Sequence, residues 1–137
     1  MNYLEHKLQA ECIKWFKYQY PHFAGLIFHI PNERKQSPQA GARAKAIGTL
    51  AGVADVFLST PNETYHGCYF EFKASTKNKQ TENQKTFEKN VISVGYDYVL
   101  ISDFDTFRKY VNNYLLIRQT LLKYTKRKSG KTCSNVY

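Results

Sequence analysis

Two short segments of the chain carry acidic residues in strongly apolar surroundings. The first is Asp55, which opens the segment 55–58, and the second is Glu71, which lies within the segment 68–73. Side chains alternate between the two faces of a strand, so Glu71 and Lys73 would lie on one face. Ionised groups are rarely buried unless they are paired or bind a metal ion. Two carboxylates and an ammonium group in such strands therefore indicate a cation-binding site that acts on an anionic substrate.

The residues between the two segments indicate that their strands are neighbours. Residues 59–67 are polar and contain proline, asparagine and glycine, which is typical of a hairpin connection. A hairpin would place Asp55 and Glu71 on adjacent strands. The structural alternative is a solvated acid at a strand start and a surface Glu-x-Lys ion pair. It is the weaker alternative because two acids at one site repel each other unless a cation neutralises them.

The N-terminal residues 2–20 have apolar side chains at helical spacing, with Pro21 ending the predicted helix. Glu5 falls inside the apolar arc of this helix, beside Gln9. An inward-facing carboxylate needs a partner. Two interpretations stay open: Glu5 complements the helix dipole in the first turn, or it joins the acidic site from across the core.

A second group of residues could contact phosphate groups. Ser37 followed by Pro38 predicts a helix start, and the helix that follows is rich in small residues. The loop before this helix, the helix itself and the loop 74–80 all carry basic side chains. The predicted phosphate contacts are Arg34, Lys35, Arg43, Lys45, Lys77 and Lys79. A plain solvated loop is an equally good interpretation for Arg34 and Lys35.

The C-terminal end of the chain is strongly basic. The formal net charge is +9, and no acidic residue occurs among residues 118–137. Lys126, Arg127 and Lys128 are candidates for contacts with a nucleic-acid backbone. We predict one domain over residues 1–122 and a flexible basic tail over residues 123–137. A tail that only improves solubility is the alternative, and charge alone does not choose between them.

Composition excludes several classes of protein. With 137 residues and 42% hydrophobic content, the chain is long and apolar enough for one folded domain. It has no apolar run of membrane-spanning length and no recognisable signal peptide, so we expect a cytoplasmic protein without membrane contact. The cysteines, among them Cys12 and Cys68, are too widely spaced for a disulfide framework, and the histidines have no zinc-ligand spacing.

The remaining pattern predicts a mixed α/β protein. Residues 25–30 and 96–101 are predicted strands, and Asp103 or Asp105 is expected to cap a last helix that ends near Lys123. Thr81 and Gln84 match a capping box, which predicts a helix from residue 82 to about residue 94. Gln84 would also lie near Lys73, where its amide could orient water or phosphate, so a structural and a functional interpretation both stay open.

Paired carboxylates with a nearby lysine suit metal-assisted phosphodiester hydrolysis. Hard oxygen ligands favour Mg²⁺ or Mn²⁺, which also bind phosphate oxygens. Such an ion polarises the scissile phosphate and lowers the pKa of a bound water. The ammonium group of Lys73 could hold that water or offset charge that develops on phosphorus.

The ordered set of motifs resembles the VRR-NUC family (virus-type replication-repair nucleases) of the PD-(D/E)XK nuclease superfamily. The short Asp…Glu-x-Lys signature is degenerate, but the complete ordered set is fairly specific. One departure is Ala54, where the family has a proline that shapes the backbone. The segments that carry the resemblance are residues 5–9, 31–33, 52–58 and 71–73, followed by Gln84.

The resemblance implies a restriction-endonuclease-like fold, a mixed β-sheet flanked by helices in the order αβ(α)βββαβα. It implies that Asp55, Glu71 and the main-chain carbonyl of Phe72 bind Mg²⁺ or Mn²⁺. Lys73 would assist the attacking water. Glu5 would complete the acidic cluster, directly or through water, and Gln84 would support the site. Asn32 and Glu33 match a family loop and receive no role beyond a substrate contact.

Stand-alone members of this length are similar to phage-encoded enzymes that cut branched, flapped or junction DNA as homodimers in replication, repair or recombination. The resemblance therefore implies a DNA endonuclease, a homodimer, and a bacterial or phage-infected host cell. Three other hypotheses stay open. They are a non-catalytic basic nucleic-acid-binding module with the nuclease fold, an RNA-cleaving nuclease, and a structural protein whose ion pairs hold the sheet together.

Overall fold

The structure, a computed structural model, describes residues 3–31 and 37–129, and the side chains up to residue 116. None of its helices is long and apolar enough to cross a membrane, as far as the described residues go. The elements in chain order are α1 (Tyr3–Gln19), a 3-10 helix (Pro21–Leu26), β1 (Ile27–His29), α2 (Pro38–Ala46), β2 (Val56–Leu58), β3 (Cys68–Phe72), α3 (Glu82–Ser93), β4 (Asp97–Ile101) and α4 (Phe104–Ser129).

One four-stranded sheet organises the molecule, with the strand order β1-β2-β3-β4. β1 and β3 are antiparallel to β2, and β4 is parallel to β3. The predicted hairpin is confirmed, because Val56 of β2 lies opposite Phe70 of β3. The predicted mixed sheet with flanking helices is also confirmed. The order of elements is αβαββαβα, with two strands instead of three between α2 and α3, because residues 59–67 form the hairpin connection and contain no strand.

The two faces of the sheet are covered by different helices, and this follows from side-chain alternation along the strands. Alternate residues of β3 point into the main core, which α1 and α4 close. The opposite face packs against α3, where Phe87 contacts Ala54 and Tyr98. The buried members of the main core are Cys12, Phe16, Ile27, Val56, Leu58, Cys68, Phe70, Phe72, Ile101, Phe107, Val111, Tyr114 and Leu115.

Local capping interactions start three helices where the sequence predicts them. The Ser37 side chain accepts a hydrogen bond from the Ala40 amide at 3.3 Å, with proline in the first turn of α2. Thr81 and Gln84 form the complete capping box of α3. Asp103, not Asp105, caps α4, because its Oδ1 accepts from the Thr106 amide at 2.8 Å.

The last helix is longer than the sequence analysis predicts. α4 runs to Ser129, so the predicted end near Lys123 and the predicted domain boundary at residue 122 both fall inside a helix. The physical reason is that no glycine or proline interrupts the chain between Phe104 and Gly130. Residues 123–129 are therefore helical, and the separate basic tail stays a prediction.

At Gly52, the segment that precedes β2 packs closely against the start of α3. Gly52 has a φ of 83°, a conformation that glycine adopts without strain. A Cβ atom at this position would lie 2.5 Å from the main-chain oxygen of Asn83. The absence of a side chain at Gly52 therefore lets the segment that leads into Asp55 pack directly on the first turn of α3.

We predict that Gly52→Ala lowers the free energy of unfolding by at least about 2 kcal/mol, because it adds both backbone strain and a clash with main-chain atoms. Urea unfolding followed by circular dichroism measures this change. Gly41→Ala is the matched control. Gly41 lies inside α2, and no atom of the described residues would lie within 4 Å of a Cβ added there. Alanine at position 41 should therefore be neutral or stabilise by up to about 1 kcal/mol. Equal effects of the two substitutions would contradict this account of Gly52.

Candidate active site

Asp55 lies directly before β2, at the end of the sheet where β1 and β3 also end. Its side chain is buried, with the residue 8% exposed. The carboxylate accepts a hydrogen bond from the Phe72 amide at 2.8 Å, and the Asp55 carbonyl accepts one from the Ile30 amide at 2.8 Å. In a strand the N–H and C=O of one residue point to the same side. The Phe72 carbonyl therefore faces the same side as Asp55.

Glu71 and Lys73 form a buried ion pair next to Asp55. Lys73 Nζ lies 3.0 Å from Glu71 Oε1, and both side chains are largely removed from solvent. Glu71 Oε2 is buried and has no hydrogen-bond partner among the described residues. A buried carboxylate oxygen without a donor is costly for the fold. This oxygen is therefore available to a cation that would enter the site.

Gln84 both caps α3 and contacts Lys73, as its position in the sequence suggested. Its amide oxygen accepts from the Thr81 amide at 2.9 Å, which completes the capping box, and from Lys73 Nζ at 3.0 Å. Its amide nitrogen donates to Glu71 Oε1. One side chain thus starts α3 and holds both members of the ion pair.

The environment of Glu71 disfavours its charge. Burial, followed by the negative charge of Asp55, raises the pKa of Glu71 to about 7 from an ordinary value of 4.5. The hydrogen bond and the positive charge of Lys73 lower this pKa, and Glu5 raises it further. A raised pKa means that the site lacks positive charge, and a bound cation would supply it.

Glu5 faces inward from the first turn of α1, as the apolar arc predicts. Its Oε1 accepts a hydrogen bond from the Ala74 amide at 3.0 Å, just beyond Lys73. Glu5 is 9% exposed and its charge acts on the pKa of Glu71. The structure therefore places Glu5 against the end of β3, beside the acidic pair. This agrees with the second interpretation of Glu5, and a metal-ligand role for it stays a prediction.

Some of the predicted phosphate contacts lie in the described part of the chain, and the others lie outside it. Lys77 and Lys79 are exposed in the loop that follows Lys73, and Arg43 and Lys45 are exposed on α2. The other predicted contacts lie outside the described part of the chain. Asn32, Glu33, Arg34 and Lys35 are not described, and Lys126, Arg127 and Lys128 lie in α4 without described side chains.

The donors at the site fit a hard divalent cation. Asp55, Glu71 and the Phe72 carbonyl offer only oxygen atoms, which is the ligand type of Mg²⁺ and Mn²⁺. The buried Glu71 Oε2, which no described group contacts through a hydrogen bond, is the observation that favours an ion here. Among the described side chains, which end at residue 116, no group of three or more histidine, cysteine or acidic residues is arranged to hold a metal. A site at Asp55 and Glu71 would therefore combine two carboxylates with a carbonyl and water.

Two polar residues at this end of the sheet received no role from the sequence. Gln9 of α1 and His29 of β1 form a hydrogen bond of 3.0 Å between the amide nitrogen and Nδ1. The helical arc does place Gln9 beside Glu5, so part of the signal was present. No local pattern indicates that His29 is the partner of Gln9, because the two residues lie on different elements.

Comparison with known proteins supports the fold. No protein-family model matches the chain, and no curated protein matches it. Among solved structures, the chain is similar to one described as "VRR_NUC domain protein", with 24% sequence identity and a TM-score of 0.71. The match covers 85% of this chain and 92% of the other. The chain therefore has the VRR-NUC fold, which confirms the resemblance seen in the sequence at the level of fold.

We predict that Glu71→Gln stabilises the metal-free protein above neutral pH. The folded-state pKa of about 7 lies above the ordinary value of 4.5, so between these values the folded state binds more protons and its stability falls as pH rises. Removing the charge should raise the free energy of unfolding at pH 8 by about 1–3 kcal/mol. Urea unfolding in EDTA at pH 4 and pH 8 measures this. A variant whose stability decreases with pH as steeply as the wild type would contradict the prediction.

Proposed function

We propose that this protein is a divalent-metal-dependent nuclease that hydrolyses phosphodiester bonds in DNA. The observation that carries the proposal is the convergence of two buried carboxylates and a lysine at one end of the sheet. Asp55 is hydrogen-bonded to Phe72, and Glu71 is paired with Lys73 while one of its oxygens has no partner among the described residues. The shared fold with a VRR_NUC domain protein supports the same class of function.

Asp55, Glu71 and the Phe72 carbonyl would hold the ion. Mg²⁺ or Mn²⁺ at this position would polarise the scissile phosphate and lower the pKa of a bound water. Repulsion between the two carboxylates raises the pKa of Glu71. The ion would also neutralise this repulsion. Glu5 adds negative charge from α1 and would strengthen cation binding at the same place.

Lys73 is positioned to act on the attacking water or on the phosphate. Its ammonium group is held by Glu71 Oε1 and Gln84 Oε1, each at 3.0 Å. Two fixed acceptors restrict the ammonium group to one place, so it needs little reorganisation when charge develops on the phosphate. Gln84 therefore supports the chemistry by orienting Lys73 and Glu71.

Exposed elements of the structure support a proposal for the substrate and the assembly. Arg43, Lys45, Lys77 and Lys79 would bind phosphate groups, which is the sequence-independent part of DNA recognition. Within the described chain α2 has no buried residue, and Ile47 directly after it is 80% exposed. We propose that this surface contacts DNA or a second copy of the chain. A homodimer would place two sites on the two strands of a branched, flapped or junction DNA.

We expect metal-dependent cleavage that is lost in Asp55→Asn. Residues that only support metal ligands typically contribute 10–100-fold, so loss of a ligand should lower the rate by more than about 100-fold. DNA binding should persist, because removal of a carboxylate does not weaken attraction to phosphate. The measurement uses linear duplex, single strand, flap, splayed-arm and four-way-junction DNA with Mg²⁺, Mn²⁺ or EDTA, and an RNA strand in parallel.

The matched control is Glu63→Gln, which removes an exposed carboxylate from the hairpin connection at the opposite end of β2 and β3. It should cut like the wild type. Cleavage of RNA alone would change the substrate class, and binding of DNA and metal without any cleavage would indicate a non-catalytic module. Wild-type rates in Asp55→Asn would refute the site itself.

Gln84→Glu is expected to separate helix capping from chemistry. A glutamate can still complete the capping box, but it loses the amide donor to Glu71 and adds a like charge. We expect about 10–100-fold slower cleavage. Thermal stability should stay nearly unchanged at pH 5, where Glu71 can hold a proton, and fall at pH 8, where two carboxylates would meet. Gln84→Ala should also lose about 1 kcal/mol of stability, because the Thr81 amide loses its acceptor in the capping box. Thermal melting and single-turnover cleavage measure the two effects, and full activity of Gln84→Glu would contradict the assigned role.

A further inference from the structure

A buried amide on α1 lies against an exposed imidazole on the edge strand. Gln9 is 9% exposed, and its amide nitrogen lies 3.0 Å from His29 Nδ1. The amide oxygen of Gln9 is buried and has no hydrogen-bond partner in the part of the chain that the structure describes. His29 itself is exposed at the end of β1.

Stability does not account for this arrangement. A buried acceptor without a partner costs about 1–3 kcal/mol, and rotation of the amide would only replace the orphaned oxygen by an orphaned nitrogen. His29 is exposed, so water could satisfy its ring without Gln9. A leucine at position 9 would extend the apolar arc of α1 and avoid the cost. Gln9 is therefore a candidate for a role in binding or chemistry.

The position of the pair connects it to the acidic site. His29 lies opposite Val56 in the register of β1 and β2, and the next residue, Ile30, donates its amide to the Asp55 carbonyl. Neighbouring strands are about 4.8 Å apart. His29 is thus on the strand adjacent to Asp55, at the same end of the sheet.

Helix α1 holds this end of the sheet at two points. Gln9 follows Glu5 by one helical turn, so both side chains leave the same side of the helix. Glu5 accepts a hydrogen bond from the amide of Ala74, just after the end of β3, and Gln9 is hydrogen-bonded to His29 at the end of β1. Asp55 lies on the strand between these two contacts.

In the structure the amide nitrogen of Gln9 is the group that lies next to Nδ1 of His29. When the amide nitrogen of Gln9 donates to Nδ1, this nitrogen is an acceptor and the ring proton is on Nε2. The N–H group on the opposite side of the exposed ring is then a fixed donor. Phosphate oxygens are the acceptors that a nucleic acid presents around its scissile bond.

We propose that His29 donates a hydrogen bond from Nε2 to a phosphate oxygen of the nucleic acid, at a linkage next to the scissile one, and that Gln9 is the residue that positions the ring. This inference rests on the proposed nuclease function for the location of the scissile linkage. It does not require the protein to cut, because the contact is a binding contact.

Binding without cleavage tests the phosphate contact. The probe is a fluorescein-labelled flap DNA in EDTA, with affinity measured by fluorescence anisotropy. His29→Ala should weaken binding roughly tenfold or more, as expected for a hydrogen bond to a charged group. His22→Ala is the matched control, because His22 is also exposed but lies before β1 in the 3-10 helix. It should bind like the wild type.

Single uncharged methylphosphonate linkages identify the phosphate. At one position the substitution should weaken wild-type binding and leave the binding of His29→Ala unchanged, because the contact is already absent. A non-additive effect of His29→Ala and the methylphosphonate substitution at one linkage supports the proposal. Equal losses for both proteins at every linkage would overturn it.

The role of Gln9 is tested by stability and affinity together. Gln9→Leu should keep or raise the melting temperature and weaken DNA binding about threefold, and Gln9→Leu with His29→Ala should bind no worse than His29→Ala alone. Gln19→Leu, at an exposed position near the end of α1, is the control. A lower melting temperature with unchanged binding would show that Gln9 is purely structural and overturn its role.

The failures of the two proposals are distinguishable. The methylphosphonate effect could depend on His29 in a protein that cuts no nucleic acid with any metal. This result would refute the nuclease and support the phosphate contact. Metal-dependent cutting that is lost in Asp55→Asn, with wild-type binding by His29→Ala, would support the nuclease and refute the contact.

Discussion

The arrangement of the surrounding elements depends on two carboxylates that are buried side by side. Asp55, directly before β2, and Glu71, on the adjacent strand β3, are both less than 10% exposed, and their charges repel. The neighbouring groups compensate for part of this cost: the Phe72 amide binds Asp55, and Lys73 and Gln84 bind Glu71. One oxygen of Glu71 stays without a partner among the described residues. The protein alone therefore leaves the site short of positive charge, which is the physical basis for proposing a metal ion.

The same side chains that compensate the charges also build the fold around them. Gln84 caps α3 while it holds Glu71 and Lys73, so a shift of this helix would disturb the ion pair. Gly52 allows the segment before Asp55 to pack on the first turn of α3. Packing and capping therefore determine the relative positions of the acids and the lysine.

Helix α1 contributes polar groups to the site at the expense of an ideal core. Two inward-facing polar residues, Glu5 and Gln9, replace apolar side chains on its buried arc. Glu5 has the Ala74 amide as a partner, whereas the Gln9 amide oxygen has none within the described residues. Buried polar groups that break the apolar pattern are expected at functional sites, where a local rule is broken for binding or chemistry.

Local signals in the chain were enough to predict the elements and the adjacency of the two acids. Alternation along β3, the hairpin residues 59–67 and the caps at Ser37, Thr81 and Asp103 are each visible within a few residues. The length of α4 was underestimated, because a basic composition does not end a helix. Contacts across the core depend on tertiary packing: Gln9 meets His29 across 20 positions, and Ala74 meets Glu5 across 69. Periodicity shows that a side chain points inward, but only the packing of α1 on the sheet determines which group it meets there.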